Sequence, residues 1–323
     1  MKKYQVGIDL GGTNVRAALI DSDLHIVRKQ AAKTPKNQAE AVVQTIAGLI
    51  HALISEEALT IDDVASIGIA APGTVHNDAG KVLYANNLGW DDVSLRDMVQ
   101  KDFRVPVYLE NDANAAALGE SWFGANKGLS HSIMITLGTG VGTGVIIDGK
   151  MLTGSNYAGG ELGHMVIVAG GAQCTCGRKG CWEAYSSATA LMRMARQAAM
   201  SDPASRLWEV CDRQLEHLSA EHVFELASER DVAALEVIDR YMQLLKIAIV
   251  NLVCIFQPEQ IALGGGISNQ GERLLIPLQQ AVDAESYGSR HILVPRIVCS
   301  ELDGDAGLLG AALLGRYHEG GIL

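Results

Sequence analysis

The chain of 323 residues has no long run of lysine or arginine, and its formal net charge is −11. Proteins that grip nucleic acid or anionic membranes by charge carry basic patches, so the composition argues against both partners. A few backbone N–H groups in a small pocket could still hold a phosphate. No apolar stretch reaches the ~20 residues needed to span a bilayer. The longest, "LLKIAIVNLVCIF" (244–256), contains Lys246 and Asn251 and reads as a buried helix. The amino-terminal "MKKYQVGIDLGG" has two lysines, but Asp9 and the glycines interrupt any apolar signal-peptide core. Pro-rich linkers, low-complexity segments and the redox motif C-x-x-C are all missing. With no secretion signal, the six cysteines point to a reducing, cytoplasmic setting in which disulfides are not expected.

The 48% apolar content supplies a core for two domains or one large one. Glycine is abundant, at 35 residues, and it bunches at 11–12, 138–144, 159–163, 170–180 and 264–271, between apolar runs. Such spacing marks tight turns at strand ends. Two of these clusters lie in related segments. "IDLGGTNVRAALID" (8–21) aligns without a gap on "ITLGTGVGTGVIID" (135–148), residue 8 meeting residue 135 at an offset of 127. Each reads as strand, Gly/Thr turn, strand, which is a hairpin signal. "GTGVGTG" also resembles a dinucleotide fingerprint, but that motif needs a helix after the glycines, and here a strand follows. Two lobes built on one plan, with a ligand between their turns, is the better reading.

Helical spacing of apolar residues marks 37–57, 187–200 and 231–256 as helices, and 66–73, 105–112 and 259–268 read as short buried strands. The class is α/β. At the end of the first strand, Asp9 precedes Gly11, Gly12 and Thr13. The carboxylate could sit beside a phosphate-bound Mg²⁺, and the glycines let backbone N–H groups approach phosphate oxygens. An ordinary hairpin turn would use the same residues. The second Gly-rich turn (Thr139, Gly140) and a third cluster after a strand (Gly265, Gly266) favour a nucleotide gripped from several sides. In "ENDANAAALGE" (110–120), Asn111 or Asp112 could cap the following helix, or Asp112 could be a general base at a strand's C-terminal end, where α/β ligand sites form.

His164, Cys174, Cys176 and Cys181 follow the spacing H-x₉-C-x-C-x₄-C. Three thiolates and an imidazole suit a tetrahedral zinc, and with all four positions filled the ion would be structural. A disulfide pair or unrelated thiols are the alternatives, disfavoured by compartment and by clustering. Glu161 and Glu183 flank the cluster. Solvated surface charge is the usual role of such residues, but a metal-braced loop would hold both carboxylates fixed, ready to accept from vicinal sugar hydroxyls.

Taken in order, "DLGGT", "APG", "NNLGW", "ENDANAAALGE", "LGTGVGTGVI", "GELGH", "CTCGRKGCWE" and "ALGGGI" resemble the ROK family of bacterial sugar kinases, especially glucokinases, and sugar-responsive repressors. The resemblance covers essentially the whole chain, and the zinc loop is its most specific part. It implies an actin-like ATPase (ribonuclease H-like) fold with two lobes around a cleft. One lobe would span 1–117, with a C-terminal helix at 305–323 packing back on it, and the other would span 118–304. It implies transfer of the ATP γ-phosphoryl, with Mg²⁺, to the 6-hydroxyl of a hexose, glucose before N-acetylglucosamine, N-acetylmannosamine or mannose. Asp112 would be the base. The sugar would meet Gly73, Asn87, Asn111, Asp112, Glu161, His164 and Glu183, with Asn86 the alternative to Asn87. His164 would use one ring nitrogen for zinc and the other for sugar. The phosphates would lie at Gly11–Thr13 and Thr139–Gly140, and the nucleotide near Gly265 and Gly266. A homodimer or tetramer fits the family's habit. Repressors of the family carry a winged helix-turn-helix before the Asp-x-Gly-Gly-Thr strand. Only eight residues precede Asp9, so a DNA-binding role is not expected. A catalytically dead sensor is disfavoured by the presence of both Asp9 and Asp112.

Overall fold

The computed structural model describes residues 4–36 and 38–320. It is built on two five-stranded sheets. The first is assembled from β1 (Tyr4–Leu10), β2 (Asn14–Ile20), β3 (Ile26–Lys33), β4 (Val64–Ala71) and β8 (Val107–Asn111), in the order β3-β2-β1-β4-β8. A small three-stranded sheet, β5 (Thr74–His76), β6 (Lys81–Ala85) and β7 (Trp90–Val93), separates β4 from β8 in the chain. The second large sheet takes β9 (Ser132–Leu137), β10 (Val141–Ile147), β11 (Lys150–Met151), β12 (Gln260–Gly264) and β13 (Arg296–Cys299), in the order β11-β10-β9-β12-β13. Both sheets thus run third, second, first, fourth, fifth, the duplication visible in the two Gly-rich segments.

The helices are α1 (Ala39–Glu56), α2 (Leu95–Gln100), α3 (Asp112–Phe123), α4 (Glu183–Ser186), α5 (Ala188–Ser201), α6 (Ala220–Ser228), α7 (Val232–Phe256), α8 (Glu272–Glu285) and α9 (Ala306–His318). The expected helices at 187–200 and 231–256 are α5 and α7, and that at 37–57 is α1, whose expected first residue, Asn37, lies outside the described residues. Among the described residues no helix is long and apolar enough to cross a membrane. The apolar stretch at 244–256 ends α7, with Leu245, Ala248, Ile249 and Leu252 buried.

Two compact units result. One holds the residues up to Met134, Gly144–Gly160 and those from Glu301 on; the other holds Ile135–Thr143 and Glu161–Ser300. Helix α3 lies whole within the first, running through residue 117, and so does α9; residues 321–323 of the expected C-terminal helix are outside the described ones.

In the first unit, α1 buries Val42, Ile46, Leu49, Ile50 and Leu53 in a core shared with Val6, Ile8, Ile67, Ile69 and Leu109 of the sheet. Each fully buried side chain of this kind stabilises the fold by about 1.5–3 kcal/mol. The α9 packing has a different chemistry. A Cβ on Gly68 of β4 would stand 1.7 Å from the Ala311 carbonyl oxygen, and one on Gly310 of α9 would stand 1.7 Å from that of Ala115 in α3. Backbone meets backbone there, and any side chain would push the elements apart. Gly310→Ala should therefore destabilise the protein by about 1–3 kcal/mol through overpacking. Gly48→Ala, in an α1 position with nothing within 4 Å of the new methyl, should instead stabilise by up to about 1 kcal/mol. Denaturant unfolding of both variants checks the pair, and equal shifts would refute the packing argument.

Candidate active site

Register assembles the first unit's share of the site. β1, β4 and β8 are parallel neighbours, with Asp9 opposite Ala70 and Ala70 opposite Glu110. Their C-terminal ends therefore share one edge, the edge at which α/β proteins place ligands. Asp9, the 10–13 turn, Gly73 and Asn111–Asp112 all lie there. The turn closes with Gly11 N–H donating to the Asn14 carbonyl at 2.9 Å. A Cβ on Gly12 would stand 3.2 Å from Asn87 Cβ, so of the two exposed asparagines it is Asn87 that packs on the turn. Gly73 has φ +88°, and a Cβ there would lie 2.0 Å from the Tyr84 carbonyl oxygen. Only glycine fits that position.

The choice of helix cap is resolved as well. Asn111 is the N-cap of α3, its Oδ1 accepting from the N–H groups of Ala113 (2.9 Å) and Asn114 (3.1 Å). Its Nδ2 donates to the Gly73 carbonyl at 3.0 Å. Asp112 is the first residue of α3, where a helix N-terminus favours negative charge; its Oδ1 accepts from Ala113 N–H at 2.8 Å.

The second unit carries the other expected residues. The ligand atoms of His164, Cys174, Cys176 and Cys181 all lie within 4.8 Å of one another. Cys176 Sγ is 3.7 Å from Cys181 Sγ, and Cys174 Sγ is 3.6 Å from His164 Nδ1. Tetrahedral zinc, with Zn–S of about 2.3 Å and Zn–N of about 2.0–2.1 Å, sets ligand spacings of roughly 3.7–3.8 Å (S to S) and 3.5–3.6 Å (S to N). The residues fit such an ion. Burial, and then the neighbouring thiols, push the Cys181 thiol up to about 12. For Cys176 burial also pushes upward, but the Arg178 backbone N–H and the other thiols outweigh it and lower the pKa.

Glu183 opens α4 beside this loop. Its Oε2 accepts from Val141 N–H at 3.1 Å, and its Oε1 from Thr175 Oγ1 at 3.2 Å. A Cβ on Gly140 would fall 2.4 Å from Oε2. The carboxylate thus ties the cysteine loop to the Thr139–Gly140 turn. Glu161 is exposed at its rim, yet surrounding protein raises its pKa; His164 opposes that shift and the charge of Glu183 adds to it. The following Leu162 N–H donates to Thr143 Oγ1 at 3.1 Å. Gly265 has φ +83° and packs a would-be Cβ 2.6 Å from the Leu137 carbonyl oxygen, whereas Gly266 is open. Gly266 lines a polar groove of about 520 Å³ together with Ser219, Glu221, Glu225, Asn269 and Arg273.

Sequence reasoning missed three features. Arg16 faces Asp9 across the β1–β2 pair and bonds its carboxylate, Nε to Oδ2 at 3.1 Å; the hairpin register, once read, predicts that pairing. Glu110 is 1% exposed, against the expectation for a charged residue. The groove at 219–225 and 269–273 had no local signal.

The chain matches the ROK family model over residues 5–317. It is 36% identical to a glucokinase of Halalkalibacterium halodurans, over 98% of this chain and 96% of that one. It is 30% identical to the xylose repressor of Bacillus subtilis, over 90% of this chain and 72% of the repressor. The structure matches that of a ROK family glucokinase from Streptomyces griseus in complex with glucose and AMPPNP, with TM-score 0.84 and 34% identity, covering 97% of this chain and 99% of that one. The protein belongs to the ROK family.

Metal analysis of the purified protein should find about one zinc per chain, the content of a single four-ligand site. Chelation should lower the melting temperature, and returning zinc to the stripped protein should release protons, because bound thiols must lose theirs. Zinc uptake with no change in melting temperature would refute the bracing role.

Proposed function

We propose that the protein is an ATP-dependent hexose kinase that phosphorylates the 6-hydroxyl of glucose. The observation that carries this reading is the meeting of Asp9, the Gly11–Gly12 turn, Asn87, Gly73 and Asn111–Asp112 on one sheet edge, with two carboxylates beside a glycine turn. Similarity over nearly the full chain to glucokinases, one of them solved with glucose and AMPPNP, supports it.

On this reading Asp112 takes the proton of the 6-hydroxyl as its oxygen attacks the γ-phosphoryl and ADP leaves. Phosphoryl transfer asks the protein mainly for position and charge neutralisation. Asn111, clamped between Gly73 and the first turn of α3, orients the acceptor sugar. Glu161, His164 and Glu183 accept or donate to its other hydroxyls. A site that hydrogen-bonds hydroxyls rejects analogues lacking them by orders of magnitude. In the Gly11–Thr13 turn the Gly11 N–H is taken by Asn14, so the backbone N–H groups of Gly12 and Thr13, with those of the Thr139–Gly140 turn, would face the phosphates, and the groove beside Gly266 would receive the nucleoside end. Mg²⁺ would be held near Asp9, where it supplies charge neutralisation for the phosphates. Zinc, held by His164, Cys174, Cys176 and Cys181, would fix the loop and take no part in the transfer.

Asp112→Asn should reduce kcat by on the order of 10²–10⁴-fold, the usual worth of a general base, while glucose binding remains measurable by calorimetry. Turnover like that of the wild type would overturn the base assignment. ADP release across glucose, mannose, N-acetylglucosamine and N-acetylmannosamine should be fastest per unit KM with glucose. Sugar binding with no ADP release from any of them would make the protein a sugar-binding regulator, the role its likeness to a xylose repressor would then explain.

A further inference from the structure

Glu110, the last residue but one of β8, is almost wholly buried, and among the described residues its hydrogen-bond partners are three N–H groups, none of them cationic. Oε1 accepts from the Asn111 backbone N–H (2.8 Å) and from Asn114 Nδ2 (3.0 Å), and Oε2 accepts from Asn77 Nδ2 (2.5 Å). Burial raises its pKa, and the bonds from Asn114, Asn111 and Asn77 pull it back. A buried charge is weak evidence for stability, since apolar replacements of similar volume are often neutral or stabilising. Nor does α3 need Glu110 as a cap, because Asn111 already satisfies the first-turn N–H groups.

What Glu110 does hold is the chain on either side of Asp112. One oxygen binds the residue before the proposed base and the residue two positions after it. The other oxygen reaches the β5–β6 connection, which is itself braced. The Asn77 carbonyl accepts from Arg96 Nη1 at 3.1 Å, and next to it Asp78 accepts from the Tyr157 hydroxyl. The Tyr157 ring lies 4.3 Å from that of His76, centroid to centroid. Tyr157 has φ +63°, a conformation that non-glycine residues rarely adopt, and four residues later the chain reaches Glu161.

We propose that Glu110 is a positioning residue for phosphoryl transfer: through Asn111, Asn114 and Asn77 it fixes the backbone that aims the Asp112 carboxylate. The proposal rests on the reading of Asp112 as the base. A displacement of about 1 Å at a reacting group can cost on the order of 10²-fold in rate.

The test measures kcat, KM for glucose and for Mg-ATP, glucose Kd by calorimetry, and melting temperature for Glu110→Ala, Glu110→Gln, Asn77→Ala and Asp112→Asn. Glu110→Ala should lose on the order of 10²-fold in kcat, with glucose Kd and both KM values within about threefold of wild type. Glu110→Gln should recover to within about tenfold of the wild-type kcat: its amide oxygen still accepts from Asn111 and Asn114, and Asn77 can turn its own amide to accept from the new NH₂ group. Asn77→Ala removes one donor at a half-buried site, and should lose several-fold in kcat with its melting temperature lowered but the protein still folded at the assay temperature; it gives the answer if Glu110→Ala does not fold. Folded Glu110→Ala or Asn77→Ala with kcat within about threefold of wild type overturns the proposal, as does a loss that merely follows the folded fraction. An inactive Asp112→Asn beside a fully active Glu110→Ala overturns the brace alone. An active Asp112→Asn beside an impaired Glu110→Ala overturns the base assignment, and with it the target of the brace.

Discussion

The first unit depends on a close approach of backbone to backbone. Gly7 and Gly68 on the sheet, Gly119 on α3 and Gly310 on α9 each lie where a Cβ would meet a carbonyl oxygen within 2.4 Å. Interiors are packed to crystal-like density, so this contact admits little slack. It seats α9 on β1 and β4 and locks α3 against α9. Since α3 follows β8 with no residue between them, this packing fixes the direction in which the helix leaves the sheet, and Asn111 and Asp112 stand at that junction. A larger residue at any of the four positions would reach the site through the helix that carries it.

In the second unit the cysteine loop plays the corresponding part. It is a run of turns closed by backbone bonds, among them Cys174 N–H to the Arg178 carbonyl and Gly180 N–H to the Ala172 carbonyl, both at 2.8 Å, and its four close-set ligands offer a metal brace in addition. The sulfur and nitrogen spacings already match a tetrahedral ion. Glu183 then carries that order outward: one carboxylate oxygen meets Thr175 in the loop, the other Val141 N–H at the start of β10. The glycine at 140 leaves room for it. A residue expected to meet sugar also holds a turn expected to meet phosphate, so the two binding elements share one support within this unit.

Much of this was legible in the sequence because it is local. Gly-rich turns, the cysteine spacing and the Asn-Asp pair are short motifs, and the repeat between residues 8–21 and 135–148 pointed to two lobes on one plan, though the strand order the two sheets share lay beyond it. What stayed hidden depends on tertiary partners. Glu110 looks like a solvated strand residue until Asn77, 33 positions earlier, is folded against it. Which of Asn86 and Asn87 lies against the Gly12 turn could not be read from two adjacent asparagines; the close approach of Asn87 Cβ to Gly12 depends on the fold. The groove beside Gly266 joins residues near 220 to residues near 270, and no spacing rule links those segments.

A protein with net charge −11 that is to hold a polyphosphate must solve its electrostatics locally. Coulomb repulsion between exposed charges fades beyond a Debye length, about 8 Å at physiological ionic strength, so the distant acidic surface matters little. The immediate neighbourhood matters a great deal. There the polypeptide sets glycine turns, whose N–H groups can face an anion, and Arg16, whose guanidinium binds Asp9 and whose side chain remains 38% exposed. Asp9 is further flanked by the first turn of α9: a Cβ on Gly307 would stand 3.5 Å from the Asp9 Cγ, and a helix N-terminus favours a carboxylate. A lone acid beside a phosphate would repel it. An acid held between a guanidinium and a helix N-terminus has its charge offset and repels a neighbouring phosphate less; on the proposed reading the cation that arrives with the nucleotide competes with Arg16 for the Asp9 carboxylate.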